Sequence, residues 1–79
     1  MRRQRIDLTF VTLELVGGYR FEFPVKNIDV TEDHVDFSLF PLNSLNIGPV
    51  AQSDIVVLYL ETRSVLVPED DVKIYTGES

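Results

Sequence analysis

Apolar and polar positions alternate along this chain in short runs, and the phase of the alternation changes more than once. Ile6, Leu8 and Phe10 occupy even positions, whereas Val11, Leu13 and Leu15 occupy odd ones. A period of two marks half-buried strands. In LELVGGYRFEF (13–23) the Gly17–Gly18 pair signals a hairpin. A loop of the two glycines alone would set Leu13 opposite Glu22. A three-residue loop of Val16, Gly17 and Gly18 instead pairs Leu15 with Tyr19, Leu13 with Phe21 and Val11 with Phe23. It also sets Glu14 opposite Arg20, an opposite-charge pair. A one-residue slip exchanges the faces, so burial selects the second register. Such loops commonly join a type I turn to a left-handed residue, here Gly18.

The phase change between Phe10 and Val11 predicts a bulge. A second change follows Phe21, Phe23 and Val25, since the next apolar residues are Ile28 and Val30. Pro24 cannot donate to a ladder and suggests a bulge or an edge. The 19–30 segment therefore reads as one long, strongly curved strand. The TEDH turn (31–34) lets Val30 face Val35 and Ile28 face Phe37 in a third strand, about HVDFSLFPL (34–42). NSLNIGPVAQS (43–53) is irregular. IVVLYL (55–60) is apolar on both faces and calls for cover on both. ETRS (61–64) reads as a turn returning Leu60 to Val65 and Tyr59 to Leu66. PEDD (68–71) reads as a tight or 3-10 turn before a closing strand, VKIY (72–75). No segment has a good helical period.

These elements predict an all-β domain over residues 1–79, a small, strongly bent five-stranded barrel of SH3-like or Sm-like form. Tyr19, Phe21, Phe23 and Phe37 alternate as core residues do. A chain of 79 residues without cysteine has a marginal core and no disulfide. Such domains gain stability by associating. The outer face of IVVLYL and an open strand edge then predict a homo-oligomer, paired edge to edge with closed ring symmetry. The plain alternative is a monomer whose 43–53 loop covers that face.

The net charge is −6, which opposes wholesale attraction to nucleic acid or anionic membranes. Arg2, Arg3 and Arg5 crowd the start, where residues 1–5 read as a flexible basic arm. No apolar run nears the roughly 20 residues of a membrane span. Asp7 and Glu14 interrupt the apolar stretch that a signal peptide needs, so a cytoplasmic protein is expected. With one histidine, no cysteine and no phosphate-cradling loop, the chain predicts no enzyme, metal or cofactor.

Two segments resemble motifs of the Sm/LSm family of RNA-binding ring proteins, and more loosely small barrels encoded by phages. LELVGG, a bent strand and EDHVDFSL are similar to the first motif, with Glu32 on its Asp, Val35 on its apolar position and Asp36 on its Asn. LETRSVLVP is similar to the second, with Arg63 on the Arg and Ser64 on the Gly. The resemblance implies a ring of roughly five to seven subunits binding single-stranded RNA, or DNA, in a bacterial or phage-infected cell. It places Glu32, His34, Asp36, Thr62, Arg63 and Ser64 in loops around a pore. Bases would stack on His34 or Arg63, and Arg63 would meet phosphate. Asp36 departs from the pattern, since an ionised carboxylate only accepts and repels phosphate. The competing reading is a structural or adaptor barrel, such as a virion or assembly component. In it Arg63 is an ordinary turn arginine paired with Glu61 or a neighbouring subunit's acid.

Overall fold

The computed structural model describes residues 2–40 and 47–76 of the chain. They form an all-β structure of two three-stranded antiparallel sheets. Strand β1 (Arg3–Leu15) is the middle of the first sheet, between β2 (Arg20–Val25) and β6 (Ile55–Pro68). The second sheet has the order β3 (Asn27–Val30), β4 (His34–Ser38), β5 (Val50–Ala51). A 3-10 turn, Gln52–Asp54, leads from β5 into β6. A second, Glu69–Asp71, leads from β6 into the one-turn helix α1 (Val72–Thr76).

The first hairpin has the register that burial selects: Val11 opposite Phe23, Leu13 opposite Phe21, Glu14 opposite Arg20. Leu15 N donates to Tyr19 O at 2.8 Å, and Gly18 N to Leu15 O at 3.1 Å. The turn differs from the expected type. Both Gly17 (φ 99°) and Gly18 (φ 90°) have positive φ, and Val16 does not. Positive φ at the third of four residues with an i to i+3 bond is the type II form. Tyr19, expected in the core, is exposed beside this turn.

The core lies between the sheets. Val11, Leu13, Phe23 and Val25 of the first pack with Val35 and Phe37 of the second. The Phe23 and Phe37 rings meet edge to face at 5.3 Å, a favourable aromatic geometry. The chain crosses from one sheet to the other at Lys26, whose N–H donates to Ser38 O at 2.8 Å. The expected curved strand is thus two strands broken at one residue. Ile28 faces Phe37 and Val30 faces Val35, as the pattern predicts.

Four expectations are corrected. The phase change at Phe10–Val11 is not a bulge: the β1–β6 register runs unbroken from Arg3–Pro68 to Glu14–Val57 and shifts only between Glu14 and Leu15. Burial changes sides instead. Leu13 and Val11 are sealed on one face, Leu8 on the other. Arg3 and Arg5 are strand residues opposite Pro68 and Leu66, not part of a flexible arm. ETRS is not a turn. It continues β6, and Glu61, Thr62, Arg63 and Ser64 face Phe10, Thr9, Leu8 and Asp7. With β6 filling that edge of β1, no closing strand is required, and VKIY is helical. Glu69, Asp70 and Asp71 precede α1, where acidic side chains complement the positive end of the helix dipole.

The described strands close no barrel. β6 bonds to β1 alone, and β5 has only two residues, both bonded to β4. A cleft of about 270 Å³ lined by Thr9, Val25, Lys26, Asn27, Ile28 and Leu60 opens between the sheets. Phe40 is buried, and its ring tilts against Tyr75 of α1 at 5.0 Å. Leu42 and residues 43–46 lie outside the described residues. No described helix is long and apolar enough to cross a membrane.

Candidate functional site

The six residues matched to the ring motifs fall into two groups on different sheets. Glu32, His34 and Asp36 lie on the β3–β4 hairpin, all exposed. Its turn is tied locally: Thr31 N donates to His34 O at 2.9 Å, and His34 N to Thr31 Oγ1 at 3.1 Å. Gln52 N donates to Asp33 O at 2.8 Å and its side-chain amide to Thr31 O, fastening the turn to the 3-10 turn that precedes β6. Asp36 stands opposite Asp29, a like-charge cross-strand pair. Thr62, Arg63 and Ser64 are consecutive on β6, so Arg63 faces one side of the first sheet and its two neighbours the other. Among the described residues no hydrogen bond or ion pair joins the two groups.

Arg63 is committed elsewhere. Nε and Nη2 donate to Glu61 Oε2 at 3.1 and 2.9 Å, and Nη1 donates to Glu22 Oε1. Its guanidinium carbon lies 4.9 Å from the centre of the Phe10 ring, a cation–π contact. Hydrogen bonds to Glu61, and after it Glu22, push the Arg63 pKa up. The side chain straps β6 to β2 across β1. Pairing with Glu61 is legible from sequence. Glu22 and Phe10 are not, because only an unbroken β6 brings them beneath Arg63.

The larger feature is the outer edge of β6. Leu15 N bonds toward β2, and Val16 N donates to Asp54 O at 2.8 Å on the opposite side. Backbone direction alternates along an antiparallel strand. The odd residues of β1 therefore bond to β2 and the even ones to β6. Their partners Tyr59, Glu61, Arg63, Val65 and Val67 turn their N–H and C=O groups inward. Leu58, Leu60, Thr62, Ser64 and Leu66 turn theirs outward, where no described strand receives them.

The opposite edge of the same sheet is guarded. Phe21, Phe23 and Val25 bond inward to β1, so Arg20, Glu22 and Pro24 face outward, and Pro24 has no N–H to offer. Charged side chains, proline and short length are the usual devices that blunt strand edges. β2 has all three. β6 has 14 residues with its only proline at the end, and it exposes Val56, Tyr59, Leu60 and Leu66.

Among the described residues no group of three or more histidine or acidic side chains gathers as a metal site. No protein-family model, curated protein or solved structure matches this chain. The Sm-like resemblance therefore rests on the quoted residues alone.

Proposed function

We propose that this chain is a non-enzymatic structural or adaptor β-module that works by adding a strand of another chain to the outer edge of β6. The observation that carries this reading is the asymmetry of the first sheet: one edge blocked by Pro24 and charge, the other long, paired by no described strand and flanked by exposed apolar side chains. Strand addition draws affinity from main-chain hydrogen bonds and specificity from alternate side chains. The cation that a nucleic-acid site would use is already held by two carboxylates, on a chain of net charge −6.

The competing proposal is an Sm-like barrel in a homo-oligomeric ring on single-stranded RNA or DNA. It requires Arg63 to exchange Glu22 and Glu61 for phosphate, and subunits to bring the 31–36 and 61–64 segments together. Ring closure through β6 and the β2 of a neighbour is opposed by Pro24.

Fluorescence polarisation with short U-rich and A-rich oligonucleotides separates the two. At about 10 μM protein and low salt, where phosphate contacts are strongest, no binding is expected. Saturable binding that Arg63→Ala abolishes would overturn the adaptor reading.

A further inference from the structure

The open edge of β6 is self-complementary in one register, and we infer that its partner is the β6 of a second copy, antiparallel about a two-fold axis through Thr62. This inference rests on the adaptor reading and names its partner. Antiparallel pairing requires outward-facing residues to meet outward-facing residues. The outward set is Leu58, Leu60, Thr62, Ser64 and Leu66, so even positions must oppose even positions. Only a few registers then overlap most of the strand. An axis through Glu61 or Arg63 sets a like charge directly against itself, which is destabilising. An axis through Leu60 or Ser64 leaves both charges opposite apolar residues and shortens the overlap.

The axis through Thr62 does neither. It places Glu61 opposite Arg63 of the second copy, and Arg63 opposite its Glu61, on the face where these side chains already lie. Arg63 now holds two carboxylates. In the pair each Glu61 would sit between two guanidiniums, which relieves that local excess of negative charge. The same register sets Leu58 against Leu66, Tyr59 against Val65 and Leu60 against Ser64. It covers Leu60 and Leu66, which are 54% and 53% exposed in the single chain. All five outward residues pair, giving about ten new main-chain hydrogen bonds. The product is a six-stranded sheet in which β1 and β6 of both copies are interior and the guarded β2 strands form the two edges. An isologous contact of this kind closes on itself and stops at two.

The chain has no cysteine, which permits a direct test of register. Hydrogen-bonded antiparallel partners have Cα atoms about 5.5 Å apart, within disulfide reach. On mild oxidation Thr62→Cys should cross-link to itself as a covalent dimer. Leu60→Cys should not, since its opposite position is Ser64 of the second copy. Sedimentation velocity over about 1–100 μM should show wild type passing from one to two chain masses as concentration rises. Thr62→Pro leaves the β1 ladder intact, because the Thr62 N–H points away from β1, and should weaken the dimer at least about tenfold. Glu61→Arg should weaken it similarly, and Glu61→Arg with Arg63→Glu should restore it.

A single chain mass at every concentration would overturn the inference. So would efficient cross-linking of Leu60→Cys in place of Thr62→Cys. If Thr62→Pro proves unfolded by circular dichroism, the two cysteine variants decide alone. A lone chain that binds no oligonucleotide would sink the second copy while leaving the adaptor reading standing; a lone chain that binds one would sink both.

Discussion

Leu13 is the residue on which the assignment of faces can be tested most directly. It is 0% exposed, sits at the middle strand of the first sheet, and packs in the cluster with Val11, Phe23, Val25, Val35 and Phe37. Leu13→Ala removes buried methyl groups and leaves a cavity, and such changes cost about 2–5 kcal/mol. The neighbours opposite it, Phe21 and Leu58, are only partly buried and can lean inward. Partial collapse of the cavity puts the expected cost near the lower end, about 3 kcal/mol. At typical stabilities per residue a chain of this length has about 4–12 kcal/mol in all. The variant should therefore lose a quarter or more of its stability, and its Tm should fall by about 12–24 °C. Leu66→Ala is the control. It lies on the same face of the sheet, opposite Arg5, but is 53% exposed and outside the cluster. In dilute protein it should change stability by no more than about 0.5 kcal/mol. Urea unfolding followed by far-ultraviolet circular dichroism at low concentration gives both values, with an unchanged slope confirming comparable unfolded states. Leu13→Ala within about 1 kcal/mol of wild type, or Leu66→Ala as costly as Leu13→Ala, would refute the placement of the core.

Three further perturbations follow from the same geometry. Gly17→Ala forces a side chain onto φ 99° and should cost about 1 kcal/mol, net of the entropy removed from the unfolded chain. Gly17→Asn should cost less, because asparagine tolerates positive φ, and urea midpoints rank the two. Asp36→Lys replaces a like-charge pair with Asp29 by an opposite-charge pair and should stabilise by about 0.2–1 kcal/mol at low salt; a stabilisation that survives in molar salt would argue against the electrostatic cause. Phe37→Ala removes the edge-to-face partner of Phe23 and should cost about 3–5 kcal/mol, so its urea midpoint should fall at least as far as that of Leu13→Ala in the same assay.

Local pairing in this chain was legible wherever a turn signal sat between two alternating runs. The Gly17–Gly18 hairpin has its register dictated by the cost of exposing Leu13 and Phe21, and TEDH sets Val30 against Val35 for the same reason. The turn type was not legible, because Gly17 and Gly18 both permit positive φ and the alternation does not say which uses it. The phase change at Phe10–Val11 is visible in the sequence, but a bulge is not its cause. Alternation reports which side of a strand is covered. A bulge alters that side, and so does a long strand that passes from one covering layer to another. Where β2 flanks β1, the apolar face is the one toward the second sheet. Beyond it, where only β6 flanks β1, Leu8 is buried on the opposite side.

The extended form of ETRS, where a turn is expected, bears on the candidate site as well as the fold. The four residues contain no glycine, proline, asparagine or aspartate, and threonine favours strands. A turn there sets Leu60 against Val65 and Tyr59 against Leu66, and the resemblance, with Ser64 in the place of a glycine, points the same way. With the segment extended, Arg63 lies on a strand as a strap over Phe10, joining β6 to Glu22 of β2. One expectation nonetheless rested on physics that the correction leaves in place. IVVLYL has apolar residues on both faces, and Val56, Tyr59 and Leu60 remain exposed in the single chain. Straightening ETRS lengthens the same strand to 14 residues and extends its outward row of donors and acceptors through Ser64 and Leu66. It also places the charges of Glu61 and Arg63 on either side of Thr62, near the middle of the strand. A palindromic arrangement of opposite charges along an unguarded edge favours an antiparallel copy over a parallel one, since parallel in-register pairing would set Glu61 against Glu61 and Arg63 against Arg63.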